Sequence, residues 1–252
     1  MCWLGHGPVL FETGGLSFLV DPVLSDRIGP RIGQFTLGLS RKTPIPVSAD
    51  SVRGVDVILI THAHFDHLDR PTLRALADPA TTVFVPMKCS RLIPAGFNDV
   101  IELEPDRQYN FHDSLIDTTK PRHWGARTII DRNRGACAYT VRHNGFGVFL
   151  AGDTALTNSF QSIQDIDLAV FGIGAYNPWE HMHATPEQAW QMFNDMDARY
   201  LLPVHHSTFE LSDEPIGEPM TRLIRAGNDG HDRIIHEPQG TVIRLSPADR
   251  YH

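Results

Sequence analysis

The chain has 252 residues, 41% of them apolar and 21% charged, with a formal net charge of −8. That length suits one large domain or two small ones with ample material for a core. The acidic balance excludes nonspecific attraction to nucleic acid or to an anionic membrane over the whole surface.

Short strand-like runs dominate the first half. Val9–Glu12 and Leu16–Val20 flank Gly14-Gly15, which reads as a hairpin turn, and Asp21-Pro22 stops the second strand. Residues 25–50 carry several Gly and Pro and little periodicity, so a long, functional loop is expected there. Val57–Thr61 is a buried-strand candidate. Pro71–Ala77 has Leu73, Leu76 and Ala77 on one helical face. Strands are expected at Thr82–Val85, Val100–Leu103, Ser114–Thr119, Ala138–Arg142 and Gly147–Leu150, with a turn at His143-Asn144-Gly145. A short strand at Leu168–Phe171 enters a Gly-rich loop.

The strongest helix signal starts at Thr185. Thr at the N-cap, Pro186 at N1 and Gln188 at N3 form a capping box, and Ala189, Trp190, Phe193 and Met196 follow as an apolar stripe. Leu201–Val204 is a strand ending at His205-His206. Pro219–Ala226 is a helix stopped by Gly227, and Thr241–Leu245 is a closing strand. Strands in both halves, with helices after strands, fit sheets covered by helices. No run reaches 18 apolar residues, so no transmembrane segment is expected. Cys2, Cys89 and Cys137 are scattered, imply no disulfide framework and read as small buried hydrophobes or a near-terminal thiol. The N-terminal stretch has no basic n-region, and the expected compartment is the cytoplasm.

Fourteen histidines are the compositional oddity. Thr61-His62-Ala63-His64-Phe65-Asp66-His67-Leu68-Asp69 puts three of them at the end of an apolar strand. In extended geometry His62 and His64 share a face with Asp66, and a turn at residues 65–67 returns His67 to it. His123, Asp153 and His205 also follow strands or turns. Burying such groups unpaired would be costly, and imidazole and carboxylate suit Zn, Mn or Fe. Five histidines and two aspartates exceed the needs of one four-coordinate ion and suit two divalent ions, zinc foremost, with Asp153 between them. Asp66 is a ligand candidate with a second role as proton acceptor. Asp21 and Asp69 are candidate acceptors for the ligands' other ring nitrogens. His6, His143, His231, His236 and His252 read as surface or hydrogen-bonded core residues. No Gly-x-Ser-x-Gly stretch or reactive cysteine motif offers a protein nucleophile, so metal-activated hydrolysis is the economical chemistry.

The motif T-H-x-H-x-D-H resembles that of the metallo-β-lactamase superfamily. Trp3-Leu4-Gly5-His6, Asp21-Pro22-Val23, His123-Trp124-Gly125-Ala126-Arg127, Ala151-Gly152-Asp153-Thr154 and His183-Ala184-Thr185-Pro186-Glu187 are similar to one branch, the N-acyl-phosphatidylethanolamine-hydrolysing phospholipase D family. So are residues 171–178, Glu214-Pro215 and Glu218-Pro219. The family's last motif, His-Trp-Gly-Thr-Phe, stands here as His205-His206-Ser207-Thr208-Phe209. The resemblance implies an α+β, four-layer αββα sandwich forming a single domain over residues 1–252. It implies one ion on His62, His64 and His123, the other on Asp66, His67 and His205, and Asp153 bridging. His183 matches a family histidine that binds substrate or shuttles a proton; from its neighbours alone it is a residue before a helix satisfying a loop. His206 stands as a spectator, a proton shuttle or a local hydrogen-bonding group.

The expected activity is that of a dinuclear metal-dependent phosphodiesterase, phospholipase D-like, with catalytic roles for Asp66, Asp153 and His183. The substrate expected is a small-molecule or lipid-derived phosphodiester, with Arg122 or Arg127 as candidates to orient phosphate. The alternatives are a lactonase or carboxylic ester hydrolase of a small phosphorylated substrate, and a non-enzymatic metal-binding protein. An apolar groove rimmed by residues 25–50 would favour lipid, and a narrow pocket with arginines a small phosphorylated ester. Nucleic acid is not expected as a partner, and an oligomer is compatible with the sequence.

Overall fold

The structure, a computed structural model, describes residues 1–33, 35–128, 131 and 133–246; His252 lies outside them. Among the described residues, two six-stranded sheets face each other. In the first, β1 (Cys2–Trp3), β2 (Val9–Thr13) and β3 (Leu16–Val20) are antiparallel; β8 (Val57–Leu59), β9 (Thr82–Pro86) and β10 (Asp99–Leu103) then add in parallel. The second repeats the plan. Its strands β11 (Gln108–Phe111), β12 (Ser114–Thr119), β13 (Ala138–His143) and β14 (Phe146–Leu150) are antiparallel, and β15 (Leu168–Gly172) and β16 (Tyr200–Val204) join in parallel.

Alternation along the strands creates the layers. Val57 and Leu59 point into the inter-sheet core with Phe18, Phe84, Ile116, Tyr139 and Val148. Their neighbours Ile58 and Ile60 point outward, against Leu73 and Leu76 of α1 (Arg70–Leu76). On the far side, Phe149 and Phe171 pack on Met192 and Phe193 of α2 (Pro186–Asp195) and Leu223 of α3 (Glu218–Gly227). The order of layers is helix, sheet, sheet, helices, the αββα sandwich that the motif resemblance implied. Strands covered on both faces are apolar at every position, which is why Val57–Ile60 reads as an uninterrupted apolar run. No helix among the described residues is long and apolar enough to cross a membrane.

Four expectations need correction. Residues 25–50 are not plain loop. Two nested ribbons occupy them, β4 (Arg27–Ile28) with β7 (Leu39–Ser40), and β5 (Arg31–Ile32) with β6 (Phe35–Thr36). Their two-residue strands are too short for a period. Thr241–Leu245 is not a strand: β1 is only two residues long, and Val242 meets it in a single bridge to Cys2. The strand β11 was not expected at all. α3 runs through Gly227, and the left-handed residue that ends it is Asn228, at φ 40°. The Gly14-Gly15 hairpin is as expected, with φ of 60° and 78°, the two positive values a type I′ turn requires.

Candidate metal centre

The strands β8, β14 and β16 end at one rim of the two sheets, and each delivers a polar residue there. Ile60 and Thr61 still belong to the core beyond β8, so His62 emerges at the rim. The chain then turns: the N–H groups of His67 and Leu68 donate to His64 O at 3.2 and 2.9 Å. That turn brings His67 back to the cavity. Asp153 follows β14, His205 follows β16, and His123 lies four residues beyond β12. The sheets are joined here: Cys137 N donates to Thr61 O at 2.9 Å, and Tyr139 Oη to Ile60 O at 2.7 Å.

Two groups of ligand atoms form. His62, His64, His123 and Asp153 make one, and His6, Asp66, His67 and His205 the other; Asp153 also groups with His183 and His205. Asp153 is the hub. One of its oxygens lies 3.2 Å from His67 Nε2, 3.6 Å from His62 Nε2 and 3.8 Å from His123 Nε2, and its other oxygen is 3.4 Å from His205 Nε2. His64 Nδ1 sits 2.9 Å from His62 Nε2 and 3.3 Å from His123 Nε2. Two nitrogens bound at 2.0–2.1 Å to one tetrahedral ion would be about 3.4 Å apart. His67 Nε2 is buried and makes no hydrogen bond, although carboxylates stand close by. These residues fit divalent cations: hard and borderline donors only, convergent, with the His67 nitrogen that faces the carboxylates left uncommitted.

The opposite ring nitrogens of His67, His62 and His123 are held from behind. His67 Nδ1 is 2.7 Å from Asp21, which also accepts from Thr61 N at 2.7 Å and Thr61 Oγ1 at 2.6 Å. Thr61 Oγ1 is 3.0 Å from His62 Nδ1, and Met182 O is 3.0 Å from His123 Nδ1. Such contacts orient ligand rings. Asp21 is the acceptor the sequence suggested. Asp69 is not: it caps α1, taking Thr72 N and Oγ1 at 3.4 and 2.5 Å, and accepts from Ser25 Oγ at 2.5 Å. The backbone is strained around the centre. His6, Asp21, Ala175, His205 and Ser207 all have φ between 41° and 66°, conformations that side chains seldom adopt except where a site demands them. At Gly152 (φ 61°) a Cβ would lie 2.8 Å from that of Thr61, so only glycine fits between the two polar loops.

The electrostatics follow from burial and company. Burial pushes the imidazole of His62 well below its ordinary pKa and His123 down to about 3. Burial opposes charge on His67 as well, but Asp153, Asp66 and Asp21 outweigh it and hold that ring well above the usual range. Burial likewise opposes ionisation of Asp153, and the imidazoles of His205, His67 and His183 overcome it, keeping the carboxylate charged.

His6 is the residue the sequence undersold. It is a buried, hydrogen-bonded histidine, as read, but its partner is Asp66: Nε2 and Oδ2 are 3.0 Å apart. Burial, then the nearby His205, pushes it down to about 3. The only sequence signal was the Trp-x-Gly-His segment itself. His143 is a core histidine on Ser114, while His231 and His236 are exposed. His183 stacks on His205 with centroids 5.4 Å apart and its Nδ1 3.8 Å from Asp153, so it faces the cluster. His206 does not. It stacks on Trp3 at 4.9 Å and contacts Ser207 Oγ at 2.8 Å, a local hydrogen-bonding group.

A cavity of about 600 Å³ opens in front of the clusters, walled by Trp124, Trp179, Met182, Ala175 and Leu211. Among the described residues, no arginine or lysine and no residue of 25–50 lines it. Arg127 instead donates to Ala63 O and Leu68 O at 3.0 and 2.7 Å, and Arg122 to Leu156 O at 3.3 Å. Glu214 holds the wall in place by accepting from Ala175 N at 2.5 Å and Asn177 N at 3.0 Å.

Comparison with known proteins agrees with this geometry. The family model described as beta-lactamase superfamily domain matches residues 17–206. An uncharacterized protein of Mycobacterium tuberculosis is 30% identical, over 99% of this chain and 70% of its own length. The mitochondrial N-acyl-phosphatidylethanolamine-hydrolyzing phospholipase D of Saccharomyces cerevisiae is 28% identical, over 88% of this chain but only 50% of its own length. A crystal structure of a possible metal-dependent hydrolase from Veillonella parvula superposes with a TM-score of 0.76 at 18% identity, covering 97% of this chain and 98% of that one. The chain therefore belongs to the beta-lactamase superfamily, and its paired histidine–aspartate clusters at the sheet ends mark it as a metal-dependent hydrolase.

Proposed function

We propose that the protein is a dinuclear metal-dependent phosphodiesterase whose substrate carries an apolar portion, with an N-acylated phosphoethanolamine lipid or a smaller relative as the leading class. The observation that carries this reading is the apolar cavity set against the clusters. Trp124, Trp179, Met182 and Leu211 offer a surface for hydrocarbon within reach of His64, Asp66 and Asp153. The similarity to the yeast enzyme supports the same substrate class. A lactonase of a small phosphorylated substrate would need a cation to receive the phosphate, and no Arg or Lys among the described residues lines this cavity.

His62, His64 and His123 would hold one ion, Asp66, His67 and His205 the other, and Asp153 both. Zinc suits this donor set, and manganese and iron are alternatives. Two such ions supply a water activated near neutral pH and positive charge for the phosphoryl oxygens. Asp66, 3.0 Å from His6 and 3.2 Å from His205, is fixed to accept the proton of the attacking water. His183, at the cavity wall with its Nδ1 3.8 Å from Asp153, would bind substrate or shuttle a proton there.

A substrate panel tests the proposal. Metal-loaded protein is given bis-p-nitrophenyl phosphate, an N-acyl phosphatidylethanolamine, a lactone and p-nitrophenyl acetate. Turnover of the diesters, lost in His64→Ala, is expected, with Trp179→Ala raising KM for the lipid more than for the small diester. Lactone or acetate turnover without diester turnover would overturn it.

A further inference from the structure

A second concavity, of about 200 Å³, lies between the nested ribbons and the start of α1. Arg27, Arg31, Arg70, Arg74 and Arg127 line it, and Asp69 is its one carboxylate. It shares no residue with the metal-facing cavity. Asp69 is already committed to Ser25 and Thr72. None of the five arginines is in an ion pair with a described residue, so no carboxylate of the described residues neutralises the cluster by direct pairing. This gathering of cations occurs in a chain with 30 acidic and 22 basic residues. Like charges brought together repel, and a folded chain tolerates that most readily where something answers them.

The individual side chains point the same way. Arg70 Nε is buried without a hydrogen-bond partner, and a buried donor left unpaired calls for an explanation. Arg127 lies with its guanidinium over Phe65, 4.1 Å from the ring centroid, and among the described residues donates to the backbone of Ala63 and Leu68. Burial, with the neighbouring charge of Arg70, pushes it down to about 10. Guanidinium groups present forked donors matched to phosphate oxygens and keep their charge. The volume holds a handful of waters at about 30 Å³ each, or one phosphate-sized group.

We propose that this arginine-lined pocket is an anion site separate from the metal centre, built to take a phosphate group. Through Arg127 it is joined to the metal loop, because that side chain ties Ala63 to Leu68 across the turn carrying His64, Asp66 and His67. The phosphate belongs either to a soluble phosphate monoester or to a lipid headgroup, and the apolar ribbon residues Ile32 and Phe35, each 66% exposed nearby, make both sources worth separate arms.

Site-resolved arginine modification tests it. The full-length, metal-loaded protein is treated with phenylglyoxal, and the modified positions are mapped by peptide mass. One arm contains inorganic phosphate, a second glycerol phosphate, a third phosphatidylcholine vesicles with phosphatidic acid, and a fourth chloride at matched ionic strength. Protection of Arg70 and Arg74 by at least fivefold in a phosphate arm, with Arg53 and Arg225 unchanged, is expected. Protection by the soluble phosphates assigns a soluble ligand, and protection by vesicles alone assigns a headgroup. Protection by chloride to the same degree, or by none of the four, overturns the proposal. Arg74→Gln, on an exposed position, is the second check. It should weaken phosphate protection of Arg70 severalfold, and unchanged protection would contradict a shared site.

Discussion

Asp21 accepts from Thr61 N and Oγ1 and meets His67 Nδ1, so one carboxylate sets the ring that faces Asp153 and the loop that carries His62. Replacing it as Asp21→Asn keeps the shape and removes the charge. We expect metal affinity to fall about 10–100-fold with the fold retained, measured by competition with a chelator; unchanged affinity would mean that the contact is incidental. The cysteines behave differently. All three are buried, and burial pushes the Cys89 thiol up to about 11 and Cys137 up to about 12. At neutral pH the native protein should therefore resist Ellman's reagent and react only on unfolding. Fast reaction of the native state would refute that. At this scale the motif was legible because three histidines crowd into six residues behind an apolar strand. His6 was not, because its partner Asp66 is 60 positions away. Asp69 was misread because the residues after it begin a helix, and its Oδ2 goes to Thr72 of that helix and to Ser25.

Elements were legible in proportion to their length and burial. β12 was expected at the residues where it forms, and β8 and β9 within two residues of their ends. The edge strand β11, Gln-Tyr-Asn-Phe, alternates polar and aromatic residues too briefly to announce itself. The two-residue ribbons between 27 and 40 carry no period at all. α2 shows the reverse: Thr185 Oγ1 accepts from Gln188 N at 3.3 Å while Gln188 Oε1 accepts from Thr185 N at 3.1 Å, the reciprocal cap that its sequence announced. Thr185→Ala should cost about 1 kcal/mol of stability, read from urea denaturation. Because the segment before the cap carries His183 on the cavity wall, we also expect a measurable drop in kcat; a variant with full activity would separate the cap from the site.

The molecule as a whole is two similar sheets pressed together, with the candidate metal centre where their parallel strands end. Leu59 sits in the layer between them, fully buried, three residues before His62. Leu59→Ala should destabilise by about 2–5 kcal/mol, and its effect on metal binding should vanish once the fold is restored by lower temperature. The layering could be expected from the apolar runs, but which loops meet could not, since it depends on strands far apart in sequence lying side by side. The central claim is that two ions in this cluster carry hydrolysis of a phosphodiester. The measurement that tests it most directly is stepwise addition of zinc to chelator-treated protein, following bis-p-nitrophenyl phosphate turnover against bound metal. Activity that rises to a plateau at two ions per chain, and is absent in His64→Ala, is the predicted result. Turnover that is independent of added metal, or a protein that binds no metal in stoichiometric amount, would contradict it.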